Sequence, residues 1–436
     1  MILVLWAAVI GAIVVCYTNF PAVSVPWIGV VGLFSYTIPA LVGLTSPVMP
    51  TGMAAHFAPA SAHATSVMAI VWISFAASIA IANSVGVIVR NPIRVVPHPR
   101  YVSRFLTLIF LLSAGIFASY VARQGTGWFL QSRSELGSAI GVDWLIWKWS
   151  NALGLIVAAY FFSWSRLSKV YAAYFATMIV INMIAGDRTT PVIAVIGAIF
   201  SVSWGMPISR AVLSPKAWLS GGVVLAIIFL AKPFYVAMKT GQSFGYVFDS
   251  MSTMAFQSGW EAFATHELLE RVTALGVSYS PWATLRDSLA QFLVMPSAFG
   301  FDSTGYNELI QTQIVSYATY GLASNFWAHW WSMFGLVGAV AGGMVYGFSL
   351  IFLNNKILRS QGTGFFLFMM LAAILGVYVH RNSPENILAL MRPIVLAYGV
   401  VWLAMHVIPL RAQYRGMQPM PNRNDGFRGI VSSRSF

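Results

Sequence analysis

Apolar and polar positions along this chain alternate in blocks. Runs of about 20 apolar residues, the length that crosses a bilayer as a helix, recur from the first residue onward. They predict about eleven spans, roughly 1–17, 26–46, 66–88, 105–122, 144–164, 170–186, 190–206, 217–236, 327–353, 363–380 and 388–408. Pro21, Pro26 and Pro39 make the first two the least regular. Met1 opens directly on apolar sequence with no basic stretch before it, which reads as a retained span and not as a removable leader. No repeat with a period of about 20–50 residues emerges.

One connection is far longer than the others, 238–325, and it holds seven of the chain's 12 acids: Asp249, Glu261, Glu267, Glu270, Asp287, Asp302 and Glu308. Within it Trp260, Phe263, Leu268, Val272 and Leu275 approximate helical spacing before Gly276. That pattern predicts an amphipathic helix lying on the membrane face. The aromatic and aliphatic content argues for an ordered cap. The expected architecture is therefore a single all-α, polytopic membrane domain with one long extracytoplasmic loop and a basic cytoplasmic tail over 410–436.

Composition supports this picture. The chain is 58% hydrophobic and 8% charged, against about 25% charged residues in soluble domains. Its lone cysteine, Cys16, leaves no intramolecular disulfide. A net charge of +13 raises nucleic acid as a partner, but the bases sit in alternate connections: Arg90, Arg94, Arg100 and Arg104; Arg166 and Lys169; Arg210 and Lys216; Lys356 and Arg359. Cytoplasmic loops carry bases in this way, and anionic lipid headgroups account for them without nucleic acid. The N-terminus is then expected outside and the tail inside.

Chemistry is sought among charges on the outer side. In "INMIAGDRTTPVIA", Asp187 and Arg188 occupy a tight turn between two apolar arms. Thr189 and Thr190 offer capping hydroxyls, and Pro191 suits a first helical position. A helix N-terminus beside a guanidinium is an anion site. The arms are near 16 residues, or ~24 Å, so the turn is recessed where a charge costs roughly 2.5–3.5 kcal/mol. A local Asp187–Arg188 pair at the interface is the other reading. Arg381 and Arg392, in "YVHRNSPENILALMRPIV", share that side and would complete a positive basin, although Arg392 also fits a snorkelling role. Lys232 reads as a snorkelling residue, and Lys239 opens the long loop as either a binding or an interfacial base. Glu261, His266, Asp287 and His329 are groups able to take a proton from a hydroxyl, and Arg286 stands directly before Asp287. A solvated face or a local ion pair is the simpler account of each. No HExxH, Walker A, GxSxG or CxxC pattern is present. The glycine-rich "VGAVAGGMVYG" reads as close helix packing.

Taken together, "RQGTGWFLQSRSEL", "AGDRTTPVIAVIGAIF", "VAMKTGQ", "GWEAFA", "LRDSLAQFLVMPSAF", "WSMFGLVGAVAGGMVYG" and "HRNSPENILALMR" resemble, over about residues 120–405, the bacterial oligosaccharide repeat-unit polymerases of the Wzy-like type. Each motif is short; their order and the single long outer loop carry the resemblance. Asp187 directly before Arg188, and the wide spacing of Arg381 and Arg392, depart from the pattern. The resemblance implies a glycosyltransferase of the bacterial inner membrane with its active site facing the periplasm and a fold akin to the GT-C type. Donor and acceptor would be polyprenyl-diphosphate-linked glycans, with a chain-length regulator as a further partner and neither metal nor cofactor. Implied diphosphate ligands are Arg188 and Arg381, then Lys239, Arg286, Arg392 and Arg133. Glu261 is the first choice of general base, ahead of Asp287 and His329. An O-antigen ligase sharing the basic basin, and a transporter or flippase of lipid-linked sugars, are the rival functions.

Overall fold

The computed structural model describes residues 1–45, 57–89, 100–125, 150–155, 157–158, 168–184, 189–212, 214–215, 237–238, 240–249, 261–293, 296–301, 305–316, 324–360 and 363–407. Arg133, Asp187, Arg188, Lys232, Lys239, Trp260, the run 217–236 and the tail 410–436 lie outside these residues. The described chain is mostly helical. In order come Ile2–Asn19 (α1), Val25–Val42 (α2), Ala62–Ser84 (α3), Arg100–Gln124 (α4), Ser168–Ile184 (α5), Thr189–Ser203 (α6), Ile208–Val212 (α7), Glu261–Leu275 (α8), Pro281–Ala290 (α9) and Gly305–Leu309 (α10). Phe326–Arg359 (α11), Thr363–Ala373 (α12) and Pro384–Val407 (α13) complete the series. A π turn, Ile310–Ile314, follows α10, while α12 runs on through a π turn, Ile374–Tyr378, and a 3-10 turn, Val379–Arg381. Leu44–Thr45 (β1) and Ala58–Pro59 (β2) pair antiparallel between α2 and α3.

Among the described residues α1, α2, α3 and α11 are long and apolar enough to cross a membrane, with shorter apolar stretches at Phe110–Arg123, Lys169–Asn182, Thr189–Phe200 and Leu367–Arg381. The prolines of α2 do not break it. Pro26 falls in its first turn, where an amide is unpaired anyway, and Pro39 falls in its last.

Small residues set the packing. A side chain added at Gly347 would overlap the Ser78 hydroxyl, and one at Gly343 would meet the Val71 carbonyl at 2.9 Å, so α11 lies almost backbone to backbone on α3. Gly32 of α2 rests in the same manner on the Gly376 carbonyl. Gly335 (φ 59°, ψ −134°) adopts a conformation open to glycine and bends α11 sharply. Beyond the bend Gly342 packs on the Trp330 ring; in an unbroken helix those two residues would stand ~18 Å apart. The stretch Phe326–Phe334 is thereby held at one end of the bundle.

The two ends differ. At one, Asn354 and Asn355 near the end of α11 accept from the amides of Val25 (3.3 Å) and Val89 (3.1 Å), close to Lys356 and Arg359. At that end the α1–α2 connection also binds the connection before α7, Val23 amide to Met206 carbonyl at 2.8 Å, next to Arg210. At the other end sits the acid-rich long connection. Here the structure corrects one expectation: α8 does not turn its apolar side to the membrane. Phe263, Leu268, Leu269 and Val272 are buried in the protein itself. Glu267 accepts from the Thr45 hydroxyl (3.2 Å) and from Arg271 (2.8 Å), and Glu270 accepts from the Ser61 amide at the head of α3 (2.6 Å). The Asn325 side chain, which caps α11, donates to the Thr265 carbonyl at 2.8 Å. Glu267 and Glu270 are the bolts that fix the cap.

Candidate functional site

Above the bent start of α11, α9 brings polar side chains from four segments together. Ser280 caps α9 by accepting from the Ala283 amide at 3.3 Å, and Pro281 takes its first position. The Tyr279 amide just before it donates to the Ser332 carbonyl of α11 at 3.0 Å. Thr284, Asp287 and Gln291 then recur at helical spacing on one buried face. Thr284 hydrogen-bonds His329 Nε2 at 2.8 Å, and Asp287 accepts from Arg286 Nε at 2.8 Å. Gln291 Oε1 accepts from Arg392 Nη1 of α13 at 3.1 Å. The rings of Tyr279, Tyr306 and His329 close the cluster, Tyr306 and His329 with centroids 4.2 Å apart.

Glu385 completes the group. It lies in the first turn of α13, ahead of the apolar run, and two helical turns from Arg392 on the same face. It is 1% exposed, and neither carboxylate oxygen makes a hydrogen bond of normal geometry among the described residues. Burial raises its pKa to about 7. Hydrogen bonds from its own amide, the Ser383 hydroxyl and the Tyr306 backbone pull it down without offsetting that, and the Asp287 charge adds to the rise. Burial likewise raises the Tyr306 phenol, while the half-exposed Arg286 is held more firmly charged by Asp287. Arg392 keeps a buried Nε with no partner among the described residues. The site thus holds a buried carboxyl raised to about 7 and, two helical turns along α13, a guanidinium with one donor not bonded among the described residues. Such a pairing can accept a proton and bind an anion.

Of the residues expected from sequence, Arg286, Asp287, His329 and Arg392 meet here. His329 is buried, its ring held by Thr284. Arg381 stands on the turn that leads into α13, its guanidinium 5.9 Å from the Tyr378 ring centre. Glu261 opens α8, and the position of its side chain lies outside the description. Arg188, Lys239 and Arg133 are outside the described residues. Sequence reasoning passed over Glu385 and Gln291. The signal for Glu385 was an acid opening a helix otherwise free of acids; Gln291 carried none. His266, by contrast, belongs to the docking of α8: burial lowers its pKa to about 4, and Nε2 lies 3.5 Å from Glu270. Among the described residues no group of three or more His, Cys, Asp or Glu side chains is arranged to hold a metal ion. Comparison with protein-family models, with curated proteins and with solved structures found no match.

Proposed function

We propose that this chain is a membrane glycosyltransferase that polymerises polyprenyl-diphosphate-linked oligosaccharide repeat units at the capped end of its bundle. On this reading the bundle carries about eleven spans in a GT-C-like arrangement, in a bacterial inner membrane with the cap in the periplasm. The observation that favours it most is the buried Glu385 carboxyl, which lacks a hydrogen bond of normal geometry among the described residues, on the same face of α13 as Arg392 and its buried Nε.

The acceptor hydroxyl attacks the anomeric carbon of the donor sugar and gives its proton to Glu385. The bond from that carbon to the diphosphate oxygen breaks, and its electron pair leaves with the diphosphate. Arg392, with Arg381 and Arg188 added on the strength of the family resemblance, stabilises the charge that develops there, so the arginines count most in the transition state. The diphosphate is already an activated leaving group, so no nucleotide-binding motif is required. A carboxyl poised near neutrality suits the base better than a fully solvated Glu or Asp would. Asp287 anchors Arg286, and His329 positions Thr284 on the inner side of α9.

The test is purified protein in vesicles with a polyprenyl-diphosphate repeat unit, scored on a gel. A ladder of lengths is the expected result, abolished by Arg188→Ala and nearly so by Arg188→Lys, which loses two-point contact with phosphate. Transfer of a preformed glycan to lipid A-core without a ladder would make the chain a ligase. Movement of substrate across the vesicle at unchanged glycan length would make it a transporter, and either result refutes the proposal.

A further inference from the structure

The face of α9 opposite the site is as informative as the face that lines it. Trp282, Leu285, Leu289 and Phe292 follow one another at helical spacing, and all four are exposed, Trp282 by 72% and Phe292 by 68%. Leu293 and Phe299 extend the row. Thr284, Asp287 and Gln291, on the other side, are buried. A helix on a water-soluble surface is arranged the opposite way, apolar side in and polar side out. Here the polar side holds the site, and a row of large apolar side chains is left exposed by the described residues. A contiguous patch of that kind marks a membrane or a protein interface.

Two observations choose between them. First, the uncovered apolar surface does not end at α9. The Tyr279 amide is bound to Ser332, and just beyond Ser332 the side chains of Phe334, Leu336 and Val337 are exposed at the bend of α11. The same helix then presents Val340, Val345, Phe348 and Phe352 along its spanning length. The row on α9 therefore continues the exposed apolar surface of a helix long and apolar enough to cross a membrane. Second, the row carries no charge, and Arg286 stands at its border, half exposed and tied to Asp287, as a base at the edge of an apolar layer does.

We propose that α9 is embedded in the bilayer leaflet on the capped side of the bundle. Trp282, Leu285, Leu289 and Phe292 lie among lipid chains, while Thr284, Asp287 and Gln291 form the site wall. One helix then separates the buried acids from the bilayer, and a lipid-anchored ligand meets the site from the side. This placement holds whatever reaction the site performs, so it stands or falls apart from the polymerase reading.

The test uses the full chain with Cys16→Ala, which removes its only cysteine, in phosphatidylcholine–phosphatidylglycerol vesicles. Single cysteines Leu285→Cys, Leu289→Cys and Phe292→Cys carry nitroxide labels, with Ser278→Cys, an exposed polar position before α9, as reference. The expected result is a several-fold higher ratio of oxygen to nickel-chelate collisions at the three α9 positions than at Ser278. Ratios equal to that of Ser278 would put the face in water and overturn the proposal. Low collision with both reagents would overturn it too, with spin–spin broadening pointing to a second copy and its absence to another protein cover. Photoactivatable lipid applied to the unmodified chain supplies an independent reading. Adducts within 282–292 are expected, and labelling of α1 and α11 without any on α9 would refute the assignment.

Discussion

Replacing Glu385 with Gln isolates the energetic signature of the site. The carboxyl has an ordinary pKa of 4.5 and is raised by burial to about 7, so the folded chain holds a proton there that the unfolded chain releases. Folding stability attributable to Glu385 is therefore complete below pH 4.5, falls as pH rises through that window, and levels off above about 7. A difference of about 2.5 units at 1.36 kcal/mol each comes to roughly 3 kcal/mol. Glu385→Gln is neutral at every pH and keeps the side-chain volume. It should match the native chain near pH 4.5 and exceed it by roughly 3 kcal/mol at pH 8. His266, held neutral down to about 4 by burial, changes stability in the opposite sense, and Glu270, raised to about 6, in the same sense. Both are common to the two proteins, so they cancel when the curves are subtracted. Reversible unfolding in mixed SDS–detergent micelles, followed by circular dichroism at several pH values, provides the curves. A difference that stays constant with pH would mean that Glu385 titrates as an ordinary carboxylate, and would remove the proposed base.

Arg392→Ala should lower ladder formation by about 10²–10³-fold, the usual effect of deleting one donor to a developing oxyanion. Arg392→Lys should be close behind, both eluting as the native chain on gel filtration. Gly347→Ala forces a methyl into the Ser78 hydroxyl and should cost about 1–3 kcal/mol in detergent melts; Ser78→Gly in the same chain should recover part of it. Glu267→Ala strips the Thr45 and Arg271 bonds from the α8 dock. A loss of about 1.5–3 kcal/mol is expected, seen as faster proteolysis within α8, with Thr45→Val giving a smaller change.

Legibility varied with the range of the interaction involved. Helix positions depend on local spacing, so α1, α3 and α11 fall close to the apolar runs, and the prolines of α2 proved harmless because of where they lie in the helix. The glycines of α11 were legible as close packing, though which helix they met was not. The pairing of Arg286 with Asp287 could be read from adjacency. The bond from Arg392 to Gln291 spans 101 residues of chain and could not be read at all. Glu385 stands in the motif "HRNSPENILALMR" without a local signature, because its character comes from burial by distant parts of the chain, which sequence alone does not display. The most instructive error concerns amphipathicity. Periodicity gives α8 an apolar face and predicts the membrane as its cover, whereas α2, α3 and α11 cover it.

From its own order of residues, this chain determines a mostly helical protein with helices long and apolar enough to cross a membrane, and acids gathered in one long segment. Those features follow from hydrophobic length and local backbone preference, which act within a few turns. Only the tertiary structure decides which acids become bolts, as Glu267 and Glu270 do, and which is buried without a hydrogen bond of normal geometry among the described residues, as Glu385 is. It also decides that α9 turns its polar side inward. The ionisation of a carboxyl and the surroundings of a helix face depend on what surrounds them in space, and those neighbours come from distant parts of the chain.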